Sequence, residues 1–261
     1  MLEKYLHIHP EVQRTISSGE PVVAISSDII VKDTNYNSNI KIANDICKII
    51  RNCGAVPATT AIINGILKVG LTEEEIEFLS LDKNITTITK KDIPFAISKK
   101  QTHSTSISSS IVLSSLADIK VLVTSSIGKV NIYSDLNQLS KSNIALVCSG
   151  INSTLDTKST LEYLNTKEIP IIGYKTDKLP IFSDIENYIE VDYKMDSPLE
   201  ISKVLKSKLD LDLDGGIIIS NKIKNEINTN NSDIDIKLLH NNVKLASDIS
   251  KNLSKLYKLR I

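Results

Sequence analysis

Tryptophan is absent from this 261-residue chain, and phenylalanine and tyrosine together supply only 4% of it. A core must therefore be built from isoleucine, leucine, valine and alanine, and a hydrophobic content of 41% is enough to build one. Net charge is lacking as well, because 31 Lys and Arg face 31 Asp and Glu. That balance provides no basic field for nucleic acid and no acidic field for a cationic partner. Cysteine is scarce. Cys47, Cys53 and Cys148 are widely spaced with no CxxC pair, which reads as reduced core thiols rather than metal ligands or disulfides. No apolar run reaches membrane-spanning length and no basic-plus-apolar leader opens the chain, so the expected location is cytoplasmic.

Several chemical signatures are missing too. There is no HExxH, no GxSxG and no His–Cys constellation. His7 and His9 flank a helix start, where solvation or capping is their expected role, and His103 and His240 stand alone. Ser126-Ile127-Gly128-Lys129 lacks the glycine spacing and the Ser/Thr of a phosphate loop. Asp210-Leu211-Asp212-Leu213-Asp214-Gly215 imitates the start of a calcium loop. Position twelve, however, is Asn221 instead of a bidentate glutamate, and an apolar strand follows where a helix would be needed.

The most organised stretch that is present runs from Gly54 to Leu71, small and apolar in a Lys/Asn/Ser-rich chain. Thr59 to Ile63 reads as a buried strand between Pro57 and Gly65. Thr72 and Glu75 then form a capping box that opens a helix. Elsewhere strands are expected over 21–30, 85–88, 119–124, 144–149, 169–173, 188–191 and 217–220. Helices are expected over 11–16, 40–53, 93–98, 104–117, 134–140, 155–164, 198–209 and 236–259. This alternation predicts an α/β fold, a parallel or mixed sheet with helices on both faces. The polar 222–235 reads as a surface connection, and no linker divides 1–261, so one domain is expected.

The run Gly54-Ala55-Val56-Pro57-Ala58-Thr59-Thr60-Ala61-Ile62-Ile63-Asn64-Gly65 continues to Val69-Gly70-Leu71 and resembles the signature of the pseudouridine-5'-phosphate glycosidase, or indigoidine synthase A-like, family. Similar blocks are His9-Pro10-Glu11-Val12-Gln13, Lys91-Asp92-Ile93-Pro94-Phe95, Val147-Cys148-Ser149-Gly150, Ile172-Gly173-Tyr174-Lys175-Thr176 and His240-Asn241-Asn242. They occur in the family's order over nearly the whole chain. The resemblance implies a three-layer α/β/α domain around a mixed β-sheet, and a homotrimer. It also implies cleavage of the carbon–carbon glycosidic bond of pseudouridine 5'-phosphate to uracil and ribose 5-phosphate. That reaction uses an amine that holds the opened sugar as a Schiff base, a carboxyl group that moves protons, a second lysine and manganese.

Position by position, the resemblance puts Ser26 where the family has its acid/base glutamate, and Asn152 where it has its nucleophilic lysine. Thr87 stands for the second lysine and Asn131 for the metal-binding aspartate. Substrate-contacting positions fall on Thr87, Ile107, Tyr133, Ser134 and Asp135, of which Asp135 keeps the family's residue. Asp28, two residues beyond Ser26, would lie on the same strand face, displaced by about 6 to 7 Å. The family loop after Val130 is shortened, and Asp235 replaces an asparagine. A serine hydroxyl does not shuttle protons as a carboxylate does, and a carboxamide forms no Schiff base.

The expectation is therefore a family member whose catalysis has degenerated, acting as a non-catalytic sugar-phosphate or nucleobase binder or as an assembly partner of an active paralogue. The alternative is an enzyme on a ribose 5-phosphate compound that uses relocated amines such as Lys90, Lys91 or Lys129. No membrane or nucleic-acid partner is expected.

Overall fold

The computed structural model describes residues 2–31, 36–152, 157–181, 188–221 and 232–259. Of the loop that the polar run 32–39 predicts, 32–35 lie outside them and 36–39 are helical. Of the connection expected over 222–235, 222–231 lie outside and 232–235 are helical. Ser153 and the first residues of the helix expected from 155 lie outside as well.

In chain order the elements are β1 (Leu6–Ile8), α1 (Pro10–Ser17), β2 (Val22–Ser26), α2 (Tyr36–Asn52), β3 (Val56–Ile63), β4 (Ile66–Val69) and α3 (Glu73–Leu81). They continue with β5 (Thr87–Ile88), α4 (Ile93–Ser98), β6 (His103–Thr105), α5 (Ile107–Leu116), β7 (Val121–Val123), α6 (Ile132–Leu139), β8 (Ala145–Cys148) and α7 (Thr157–Thr166). The last are β9 (Ile171–Tyr174), β10 (Lys178–Pro180), β11 (Tyr188–Glu190), β12 (Tyr193–Met195), α8 (Pro198–Asp210), β13 (Ile217–Asn221) and α9 (Ser232–Lys258).

One sheet organises the chain, in the order β1-β4-β3-β2-β7-β8-β13-β9-β12. From β3 through β2, β7, β8, β13 and β9 to β12 every pairing is parallel. β4 and β6 run antiparallel to β3, so the sheet is mixed. Alternation along the central strands divides the core into two layers. Val22, Ala24, Leu122, Leu146 and Cys148 face a cluster that includes Ile107, Ile111, Leu136 and Leu164 from α5, α6 and α7. Val23, Ile25, Val121, Val123 and Val147 face Ile46 and Ile50 of α2, Ile201 and Leu205 of α8, and Val243 and Ile249 of α9. The architecture is three-layer α/β/α, and its central strands are apolar on both faces, as parallel strands covered by helices must be.

Local chemistry sets several boundaries. Thr72 and Glu75 form the capping box of α3. His9 caps α1 by accepting from the Glu11 N–H at 3.3 Å. Asn64 and Gly65 both take positive φ, 51° and 76°, and turn β3 back into β4. Strand β2 ends at Ser26, earlier than its apolar run predicts, because Ser27–Ile29 wind into a 3₁₀ turn. At the end of α8 the acidic run pairs with lysines of its own helix. Both Asp210 oxygens accept from Lys206 at 2.8 Å, and burial lowers the Lys208 pKa against the opposing pull of Asp214 and Asp212. Among the described residues no helix is long and apolar enough to cross a membrane.

Candidate functional site

Parallel strands β2, β7 and β8 deliver their carboxyl ends to one crest of the sheet, the place where open α/β sheets bind ligands. Beyond β7 and β8 the chain keeps pairing. Ser149 N–H donates to Ser125 O at 3.0 Å, Ile127 N–H to Gly150 O at 3.0 Å, and Asn152 N–H to Ile127 O at 2.7 Å. Two crest segments, 124–129 and 149–152, therefore run side by side.

A buried hydroxyl network lies at the end of β2. Ser27 and Thr105 exchange two bonds, Thr105 N–H to Ser27 Oγ at 2.9 Å and Ser27 N–H to Thr105 Oγ1 at 3.2 Å. Thr105 Oγ1 also donates to the Thr60 carbonyl at 2.8 Å, and Thr60 Oγ1 donates to Ser110 at 3.0 Å. These groups lock the end of β2, the middle of β3 and the end of β6 to α5 and leave little hydrogen-bonding capacity unmet.

Each position singled out from the sequence has a defined place. Ser26 is fully buried and donates to Asp28 Oδ1 at 2.5 Å; the 3₁₀ turn, not strand pleating, brings that carboxylate over it. Thr87 is half-buried on β5 and shares a 2.7 Å hydrogen bond with Ser104. Ile107 is the first residue of α5 and is buried in the core. Asn131 is the N-cap of α6, and its Oδ1 accepts from Ser134 N–H at 2.9 Å. Tyr133 is 43% exposed and packs edge-on against Tyr163 of α7, centroids 4.9 Å apart. Asn152 is exposed at the end of its crest segment.

Asp135 is 2% exposed. Its Oδ1 accepts from Ser108 N–H at 3.0 Å and its Oδ2 from Gly128 N–H at 3.2 Å. Burial pushes its pKa up to about 7 against those two bonds, with the charge of Asp28 adding to the rise. Desolvation wins because two neutral N–H donors replace only part of the lost hydration.

The crest thus gathers Ser26, Asp28, Asp135, Gly128 and Asn152. Gly128, at φ +88°, lies so close to its neighbour segment that a Cβ there would stand 2.6 Å from Asn152 O. Thr87 joins through the strand that carries Ser104 and Thr105. Lys129, half-buried beside Gly128, donates to Ser125 Oγ.

Asn242 is a residue that sequence reasoning did not single out by itself. It is fully buried on α9; its Nδ2 donates to Thr124 O at 2.8 Å, and its Oδ1 accepts from Ser149 at 3.0 Å and Asn221 at 3.1 Å. It anchors the roots of three crest segments, and its presence in the His240-Asn241-Asn242 block was the available signal.

The position that the resemblance gives to the metal ligand does not fit manganese. The Asn131 carboxamide oxygen is neutral and already engaged as a cap. Among the described residues no three His, Cys, Asp or Glu side chains converge.

The sequence profile described as indigoidine synthase A like protein matches residues 11–247. A pseudouridine-5'-phosphate glycosidase of Clostridium botulinum is 37% identical over 307 aligned positions, spanning 99% of this chain and 100% of that protein. Its counterpart in Alkaliphilus metalliredigens is 41% identical, over 85% of this chain and 75% of that protein. The one from Brachyspira hyodysenteriae is 40% identical, over 97% and 84%. Because the clostridial alignment is longer than this 261-residue chain, that relative carries several tens of residues with no counterpart here.

The fold is similar to that of the prealnumycin C-glycosynthase AlnA solved with ribulose 5-phosphate, with a TM-score of 0.85 at 26% identity over 98% of this chain and 99% of that one. It is also similar to an indigoidine synthase A-like protein of Thermotoga maritima, with a TM-score of 0.80 at 25% identity over 96% and 97%.

Proposed function

The chain belongs to the indigoidine synthase A-like family, and from that premise we propose a protein that keeps the family's crest for binding a pentose phosphate but no longer cleaves a carbon–carbon glycosidic bond. The observation that carries this reading is what occupies the four positions to which the resemblance assigns chemistry. Ser26 spends its hydroxyl on Asp28, Thr87 on Ser104, and Asn131 its amide oxygen on a helix cap. Asn152 offers a carboxamide where an amine is required. A pentose phosphate is the ligand of choice because AlnA was solved with ribulose 5-phosphate and the curated relatives are named for a ribosyl phosphate substrate. Trimeric assembly in the cytoplasm, of this chain alone or together with an active paralogue, completes the proposal.

A second reading has its own support. Asp28 touches Ser26, and Lys129, whose amine donates to Ser125, follows the glycine that approaches the Asn152 backbone, so a carboxyl lies beside one vacated position and a lysine is carried by the turn beside the other. Relocated imine chemistry on a ribose 5-phosphate compound would use that pair. Borohydride reduction in the presence of ribose 5-phosphate, followed by intact mass, separates the two. The first reading predicts unmodified protein. A pentose-phosphate adduct mapped to Lys129 would replace it with the second.

A further inference from the structure

We infer that Asp135 is a positioning residue, a brace between the amino end of α5 and the Gly128 turn that holds the two walls of the crest in the arrangement a ligand meets. The inference rests on the pentose-phosphate reading for its ligand, and on geometry for the brace itself.

Helix α5 starts without a cap of its own. The first N–H groups of a helix have no intrahelical acceptor, and a negative charge there is favoured by the dipole. The N-cap residue Ser106 makes no side-chain bond to the α5 backbone; its Oγ lies instead 3.0 Å from Ser108 Oγ and 3.3 Å from Ser109 Oγ. The missing acceptor comes from another helix, as Asp135 of α6 takes the Ser108 N–H.

The second oxygen of the same carboxylate takes the Gly128 N–H, and what Gly128 does is passed on. Its Cβ position is filled by Asn152 O at 2.6 Å and Ile132 Cβ at 3.0 Å, so the turn is pressed onto the Asn152 segment. Asn152 in turn donates its N–H to Ile127 O at 2.7 Å. Through one carboxylate, the start of α5, the turn that bears Lys129 and the segment that bears Asn152 share a position.

The resemblance places Asp135 in a substrate-contacting segment. Here both of its oxygens meet backbone N–H groups, and the side chain is buried, so its effect on a ligand runs through its neighbours. Asp28 is the charged group that acts on it from the β2 side.

The test compares wild type with Asp135→Asn, which keeps the shape but has one carbonyl oxygen for two N–H donors. Hydrogen exchange is read at 105–110 and 125–131, and affinity for ribulose 5-phosphate is read by calorimetry. The brace predicts that exchange rises in both segments together and that affinity falls about tenfold, the effect of one buried N–H left without its acceptor. Loosening of one segment alone overturns it. So does unchanged affinity in a variant whose two segments are both loosened, because that is a merely structural role. If wild type binds no ribulose 5-phosphate, the ligand reading falls, and the brace is decided by exchange: joint loosening keeps it, independent behaviour ends it. If the variant fails to fold, amide NMR on wild type decides. Ser108 and Gly128 N–H shifts that titrate with one shared midpoint support a common carboxylate, and separate midpoints overturn it.

Discussion

The hydroxyl of Ser26 donates to the carboxylate of Asp28 across 2.5 Å, although the two are separated by one residue on what the sequence reads as a continuing strand. A strand would have carried that carboxylate along the sheet; the 3₁₀ turn folds it back over the strand end. The position the resemblance reserves for an acid/base group is thereby filled by a buried hydroxyl already committed to its neighbour. Proton transfer by that residue would require an acidity that serine lacks.

Asn242 should be the most stability-critical polar side chain of the crest. Asn242→Ala removes three hydrogen bonds and leaves Thr124 O, Ser149 Oγ and Asn221 Nδ2 without that partner in a buried place. The expected loss is about 2 to 4 kcal/mol, measured by urea unfolding. A change under about 0.5 kcal/mol, the usual size for a surface site, would contradict the hub.

Asp135 gives the fold a pH dependence of known sign. Its folded pKa of about 7 lies above its ordinary value of 3.8, so the folded state holds the proton more tightly than the unfolded chain. This contribution is complete below about pH 4 and is lost as pH rises through 7. Between pH 5 and pH 8 wild type should therefore lose more stability than Asp135→Asn, by an amount on the order of a few kcal/mol. Parallel curves for the two proteins in denaturant titrations at several pH values would show that Asp135 titrates normally.

Much of the fold is legible in the sequence because its signals are local. The capping box Thr72/Glu75, the proline-led α8 and the apolar runs of β7, β8 and β13 each declare themselves within a few residues. What escaped depends on partners far away or on weak patterns. Asn64-Gly65 is a hairpin signal, yet reading its glycine as a strand stop hides β4, and with β4 hidden there is nothing for β1 to pair with. Strands β1, β10 and β12 have three residues each, too few for alternation to show. At the site, the vacated positions are legible one by one from the resemblance. The bonds that occupy them are not, since Asn242 meets Thr124 and Ser149 across 118 and 93 residues of chain.

Metal should matter little. With Asn131 serving as the α6 cap, chelator is expected to leave the melting temperature unchanged, and manganese to raise it little, in a thermal-shift titration. A large rise specific to manganese would mean a site assembled by groups other than those described.

Assembly should outlast the site. The segments that carry the resemblance build β3, the crest strands and α9, and these are intact here. Multi-angle light scattering is expected to give a trimer mass; monomer at every working concentration would remove assembly from the proposal.

Uracil release from pseudouridine 5'-phosphate is the most direct measurement. It is made by chromatography with manganese present and with an active glycosidase relative as positive control. The account predicts no uracil above the no-protein blank from wild type. It also predicts none approaching the control from the triple variant Ser26→Glu, Thr87→Lys, Asn152→Lys, since groups that act as a unit do not restore a rate without the segment that closes over them. Steady uracil production by the wild-type protein, proportional to enzyme and abolished by replacing Asp28 or Lys129, would contradict the loss of catalysis outright.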